Sequence, residues 1–349
     1  MRPRFRVTGL LTAALLALAA TACGGPADEA GGAPSGTPDA AAFPVDITHK
    51  YGTTTIKAEP KRVVTVGLVE QDALLALGVV PVATTEWLGG FPGAIGPWAK
   101  DRLGGAALPQ VLQDTGDGPQ FEKIAALAPD LILALYSGLD QKQYDTLSKI
   151  APTVAQPKEH VDYGVPWDVL TRTVGKAVGR SAQAEQVVGE TMARFAKVRQ
   201  ENPRFVGAEA VLATTYEGYF VYGTQDIRTR VMAELGFASP PDLDKVIGDK
   251  FGANISAERA ELFDADVAVW LTTDPIAERA KLHKAPVYGG LDVVKQGREL
   301  YVDENTTYGQ GISFVTVLSL PYVLDRLVPQ LTAALDGNPA TEVAQPAAG

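Results

Sequence analysis

The 349-residue chain has one cysteine, Cys23, and three histidines, His49, His160 and His283, far apart along the sequence. A single thiol makes no disulfide framework, and these residues spell neither a Cys-rich zinc site nor a His cluster. Runs of Lys and Arg are missing too: 31 basic side chains stand against 41 acidic ones, a net charge of −10. Nucleic-acid binding rests on basic patches that release counterions, so this balance argues against nucleic acid as a partner. Catalytic signatures are equally scarce, with no G-x-S-x-G elbow, no G-x-x-x-x-G-K-[ST] loop, no H-E-x-x-H and no G-x-G-x-x-G after a strand. Asp242 and Asp244 lack the further ligands and the glycine of a calcium loop. No segment beyond the N-terminal leader has 18 uninterrupted apolar residues, so no permanent membrane span is predicted. What remains is an ordinary globular composition, 46% hydrophobic and 21% charged, with room for two domains.

The first residues carry an address. Arg2, Arg4 and Arg6 precede an apolar run from Val7 to Ala20 that ends in small residues before Cys23, the pattern of a secretory signal peptide over 1–22. Ala20-Thr21-Ala22-Cys23-Gly24 resembles a bacterial lipobox, with Ala20 where Leu is usual, so Cys23 is the expected site of lipidation. Cleavage removes three Arg and no acid, leaving 28 basic against 41 acidic side chains, a charge of −13. Residues 23–42 are rich in Gly, Ala and Pro and read as a flexible tether. Residues 336–349 read as a disordered tail.

Between them the pattern alternates strand and helix twice. Val63–Val66, a helical stretch Asp72–Leu77 stopped by Gly78, and a strand near Val79–Ala83 make a βαβ opening. Val211–Ala213, Phe220–Tyr222 and Arg230–Leu235 followed by Gly236 return to it. The closest echo pairs Glu122–Leu133 (E-K-I-A-A-L-A-P-D-L-I-L) with Glu258–Val269 (E-R-A-E-L-F-D-A-D-V-A-V), eight residues from Glu to Asp in each. Two α/β lobes, 43–160 and 205–335, are therefore expected, joined by a helical segment 161–204 in which Ser181 is the expected cap of a long second helix. Ser313–Leu335 reads as a last helix kinked at Pro321 and Pro329. His283, in Lys281-Leu-His-Lys, reads as a solvated surface residue.

Aromatic residues gather near the ends of the expected strands: Trp87 and Phe91, Tyr136, Tyr216 with Tyr219 and Tyr222, and Tyr308 in the loop before the last helix. Open α/β sheets bind ligands at the carboxyl ends of their strands, and amphipathic rings suit a bulky organic ligand, although each ring alone would equally serve core packing.

These features, with H-K-Y-G-T-T from His49, P-K-R-V-V from Pro60, F-E-K-I-A-A-L-A-P-D-L-I-L from Phe121 and the segment from Trp167 to G-K-A-V-G-R at Gly175–Arg180, resemble the substrate-binding proteins of siderophore, haem and cobalamin ABC importers. The resemblance implies two Rossmann-like α/β lobes joined by a long rigid α-helix, with the ligand in the cleft between them. It implies no enzyme activity and no cofactor. The partners it implies are a ferric siderophore as transported ligand, an ABC permease dimer with its cytoplasmic ATPase, and the outer face of the cytoplasmic membrane, reached by the lipid anchor of a monomer. By motif, Trp87, Tyr136, Tyr216, Arg228, Arg230 and Tyr308 become ligand-binding candidates, and Glu122 and Glu258 become the carboxylates that dock on permease arginines. The family's first-lobe Arg position falls around Gly116-Asp117, which is unlike a site for a strongly anionic ligand. With the mature charge of −13, this favours a neutral or cationic ferric hydroxamate. Haem or cobalamin binding is the alternative within the family, and a lipid-anchored siderophore-processing hydrolase the alternative outside it.

Overall fold

Val45–His49 and Gly52–Ile56 alternate side chains between two faces and fold as an antiparallel hairpin, β1 and β2, that buries Ile47 and Ile56. The computed structural model describes residue 39 and residues 41–87, 89–113, 118–216 and 218–346. The leader, Cys23, Gly116, Asp117 and most of the 23–42 tether lie outside the described residues. All described residues fall in one compact unit.

The first lobe runs β3 (Val63–Thr65), α1 (Glu70–Ala76), β4 (Ala83–Thr85), β5 (Gln110–Leu112), α2 (Phe121–Ala126), β6 (Leu131–Ala134), α3 (Gln141–Leu147) and β7 (Thr153–Ala155). Its sheet is parallel, in the order β5-β4-β3-β6-β7. Val63–Thr65 and Leu131–Ala134 are wholly buried, as strands covered on both faces require. The second strand starts at Ala83 rather than near Val79. Gly78, at φ 71°, turns the chain so that the Val79 N–H closes α1 on the Leu74 carbonyl at 2.8 Å and is unavailable to a ladder.

Two helices follow, α4 (Trp167–Ala177) and α5 (Ser181–Glu201), separated by Gly179 at φ 69°. At 21 residues α5 is about 31 Å long at 1.5 Å per residue. Ser181 does not cap it. Ser181 is the first helical residue, and the orphan Ala182 N–H is met by the carboxylate of Asp39, 143 residues away in sequence, at 3.2 Å.

The second lobe comprises β8 (Ala210–Thr214), β9 (Tyr219–Tyr222), α6 (Ile227–Glu234), α7 (Pro241–Ile247), β10 (Gly252–Ile255), β11 (Val267–Thr272), α8 (Pro275–Lys284), α9 (Asp292–Lys295), β12 (Glu299–Asp303), α10 (Thr307–Ser313) and α11 (Ser319–Ala334). Its sheet order, β10-β9-β8-β11-β12, repeats the third-second-first-fourth-fifth order of the first, but β9 runs antiparallel to both neighbours. The Glu-to-Asp echo has a physical basis in both lobes. Asp130, just before β6, accepts the backbone N–H groups of Lys61 and Arg62 at 2.7 and 2.8 Å, and Asp266, just before β11, accepts that of Glu209 at 2.9 Å. Each carboxylate thus pins the start of its lobe's first strand beside the fourth.

The expected last helix is two. α10 ends before Phe314, and Thr316 Oγ1 accepts the Ser319 N–H at 2.9 Å at the start of α11, leaving Pro321 in the first turn and only Pro329 inside. The tail beyond Asp336 is tied down where it is described: Gln330 Nε2 donates to the Ala344 carbonyl at 2.9 Å, and Gln345 donates to that of Tyr301. One apolar core runs through both lobes and the linking helices, including Leu133, Phe195, Leu212 and Leu324. The lobes are also joined by a buried polar tie. Asp72 on α1 accepts the Trp98 indole N–H at 2.7 Å and the Thr316 hydroxyl at 2.5 Å.

Candidate functional site

In a sheet ordered third-second-first-fourth-fifth, the chain leaves the first and fourth strands in opposite directions and opens a crevice at their carboxyl ends. In the first lobe these are β3 and β6. Leu68, after β3, and Tyr136, after β6, line a cavity of about 410 Å³ whose far wall comes from the second lobe through Arg228, Phe251, Ser313 and Phe314. Asp162 and Tyr163 complete it.

Tyr136 is held by Glu70, a fully buried carboxylate in the first turn of α1. Glu70 accepts the backbone N–H groups of Leu135, Tyr136 and Val69 at 2.6, 2.9 and 3.1 Å. Burial raises the Glu70 pKa above the usual carboxylate range, and the backbone donors only partly offset it. Burial likewise pushes the Tyr136 hydroxyl upward, so it stays protonated as a hydrogen-bond donor. The Tyr136 ring meets Tyr163 edge-on at 5.6 Å. Tyr163 itself is at φ 58°, an uncommon conformation for a bulky residue and one that no periodic pattern announces.

Arg228 is fixed from three sides. Its Nε and Nη2 donate to the two carboxylate oxygens of Asp226 at 2.8 and 2.6 Å, and its Cζ lies 3.8 Å from the Tyr222 ring centre and 5.6 Å from that of Phe251. Asp226 is wholly buried and also caps α6 through the Arg228 N–H. Burial acts to lower the Arg228 pKa, but the adjoining Asp226 charge outweighs it and holds the guanidinium firmly charged. The other charge at the cavity, Asp162, pairs with Lys50 Nζ at 2.6 Å. Both cavity charges are therefore neutralised within the protein, against walls that are largely aromatic. Among the described residues no three His, Cys, Asp or Glu side chains converge as a metal site.

Of the six ligand candidates, the structure brings Tyr136 and Arg228 together at this cavity. Trp87 stands one ring behind the wall, 5.0 Å from Phe314, with its indole N–H on the Ala94 carbonyl at 3.0 Å. Arg230 is turned to Gln225, to whose side-chain oxygen it donates at 2.7 Å. Tyr308 lies within α10, not in a loop, and is buried with its hydroxyl donating to Gln330 at 2.7 Å. Tyr216 is 64% exposed beyond the end of β8. Glu122 and Glu258 are exposed at matching places, in the short helices that precede β6 and β11. Phe251, Phe314 and Tyr163 were not among the candidates. Asp226 two residues before Arg228 at a helix start was the available signal for the ion pair.

A second, smaller cavity of about 200 Å³ lies over the ends of the first lobe's strands, and Leu68 and Tyr163 line both.

The family model described as "Periplasmic binding protein" matches residues 63–306. A periplasmic solute binding protein from Mycobacterium smegmatis is 35% identical, with a TM-score of 0.72 over 83% of this chain and 98% of that one. The structure of PiaA from Streptococcus pneumoniae in complex with ferrichrome is 26% identical, with a TM-score of 0.73 over 84% of this chain and 99% of that one. The Fe(3+)-citrate-binding protein YfmC of Bacillus subtilis is 25% identical over 264 residues, 74% of this chain and 78% of the relative.

Proposed function

The chain belongs to the periplasmic binding protein family, and from that premise we propose that it captures a ferric siderophore of the hydroxamate type between its lobes and delivers it to an ABC permease. The relatives alone leave the ligand open, since one is a complex with ferrichrome and another is an Fe(3+)-citrate-binding protein. The observation that carries the hydroxamate reading is the bidentate pairing of Arg228 with buried Asp226. A trianionic chelate placed in this cavity would meet no unpaired cation among the described lining residues, whereas a neutral one loses little by being desolvated there. A siderophore fills the iron's coordination sphere, so the protein has only the organic shell to recognise, by stacking on Tyr136, Phe251 and Phe314 and by hydrogen bonds. Glu122 and Glu258 are the proposed permease contacts, one per lobe, suited to bidentate pairing with arginines of a two-fold partner. Cys23 is the proposed lipid anchor at the outer face of the cytoplasmic membrane, and among the described residues no helix is long and apolar enough to cross it.

The test is a fluorescence titration of the full chain with a neutral ferric tris-hydroxamate, a ferric tris-catecholate, ferric citrate, haem and cobalamin. Trp87 packs on Phe314 of the cavity wall and Trp98 packs on Trp87, so these indoles report occupancy. Saturable one-to-one quenching by the hydroxamate, without turnover, is expected. Preference for haem, cobalamin or the anionic chelates would overturn the reading.

A further inference from the structure

Beyond the cleft itself, the smaller cavity of the first lobe has a composition of its own. Thr85, Gln113, Gln120, Ser137 and Gln143, with the Tyr163 phenol, supply its polar lining, and no charged side chain appears among its described lining residues. One of these groups has its orientation fixed. Gln143 is the third residue of α3, where its side-chain oxygen accepts the Asp140 N–H at 3.0 Å while Asp140 accepts the Gln143 N–H at 2.7 Å, a reciprocal cap. That cap commits the carbonyl end of the Gln143 amide. Its NH₂ end stands at Gly118, where a side chain would come within 2.4 Å of Nε2, and it donates to no described residue. Opposite in kind is Ser137, 7% exposed, whose hydroxyl donates to the Ala134 carbonyl at 2.9 Å and so keeps its oxygen free to accept. Tyr163 lines both cavities, and its ring is seated against Gly138, where a side chain would come within 3.0 Å of it.

We propose that this side cavity is a subsite for a neutral, amide-bearing arm of the chelate whose iron core occupies the cleft. The inference rests on the hydroxamate reading and adds which member of that class is preferred. An arm's amide carbonyl accepts from Gln143 Nε2, and its N–H finds an oxygen acceptor in the Ser137 hydroxyl. An ammonium-terminated arm would be desolvated against a fixed donor and is disfavoured. A volume of about 200 Å³ holds a short chain and its amide but not a second chelate core.

The test compares three ferric tris-hydroxamates by calorimetric titration of the full chain: a linear one ending in a primary amine, the same chelator N-acetylated, and a macrocycle without a free arm. The acetylated chelate is expected to bind about fivefold more tightly than the amine, the worth of one net hydrogen bond. Gln143→Glu retains the oxygen that caps α3 but puts a carboxylate oxygen where the amide donor was, and it should invert the order of the amine and acetyl forms while leaving the macrocycle within about twofold. Equal affinity for all three chelates in the unmodified protein, or an equal change for all three in Gln143→Glu, would overturn the subsite while sparing the cleft. Failure of all three to bind would overturn the hydroxamate reading and the subsite with it.

Discussion

Arg228 and Asp226 show how much a single contact decides. The pair is almost completely buried, so removing one partner leaves an uncompensated charge in an apolar setting. Arg228→Ala should destabilise the protein by about 3–5 kcal/mol in denaturant unfolding, and Asp226→Asn combined with Arg228→Met should recover much of that. A loss below about 1 kcal/mol would contradict burial of the pair. Asp72 makes a prediction in pH. Burial pushes its pKa up to about 6 from an ordinary value of 3.8, and the hydrogen bonds from Thr316 and Trp98 only partly resist it. An acid whose folded pKa is raised contributes stability that is fully present below its unfolded pKa and is lost as pH rises through the folded value. Asp72→Asn keeps an oxygen acceptor without the charge, so its stability relative to the unmodified protein should grow by about 2 kcal/mol between pH 4 and pH 7. A difference that does not change with pH would contradict this. Both residues were visible as letters, Arg228 as a ligand candidate and Asp72 as a helix start, but their partners were not. Thr316 is 244 residues from Asp72, and no local pattern links them. His283 illustrates the same point: it reads as solvated, yet its Nε2 lies 2.7 Å from buried Glu299 on β12.

The elements were legible wherever hydrophobic runs were long or glycine marked an end, as at β6, β11, α1 and the break between α4 and α5. They were illegible where tertiary contacts overrule local preference. α10 is the clearest case, since Thr307–Ser313 carries two glycines, which lower helix propensity by about 1 kcal/mol each relative to alanine. Gly309 is required there by space: a Cβ would stand 2.1 Å from the Asp303 carbonyl oxygen. Gly309→Ala, stabilising in most helices, should instead cost about 1–3 kcal/mol by thermal or denaturant unfolding, and a gain in stability would contradict the close approach. The antiparallel β9 was equally hidden, because Tyr219–Tyr222 alternates as any half-buried strand would and nothing local gives its direction. Tyr308 reads as a loop residue for the same reason: the glycines of α10 hide the helix.

At the scale of the molecule, the duplicated strand order puts Glu122 and Glu258 on matching short helices, and the shared core with the 21-residue α5 favours a small change on closure. Glu122→Ala with Glu258→Ala should leave ligand affinity within about twofold and reduce uptake by cells at least tenfold; the reverse pattern would move these carboxylates into the pocket. The two-lobe architecture could be read from the repeat, but the cleft's charge balance emerges only once the Lys50–Asp162 pair, 112 residues apart, and the Arg228–Asp226 pair are seen to close. Calorimetric titration of a singly cationic ferric tris-hydroxamate at 0.05 and 0.5 M salt tests that balance most directly. A charge-balanced cleft predicts an affinity constant within about twofold across that range. A loss of tenfold or more at the higher salt would show that an unpaired charge holds the ligand, and would contradict it.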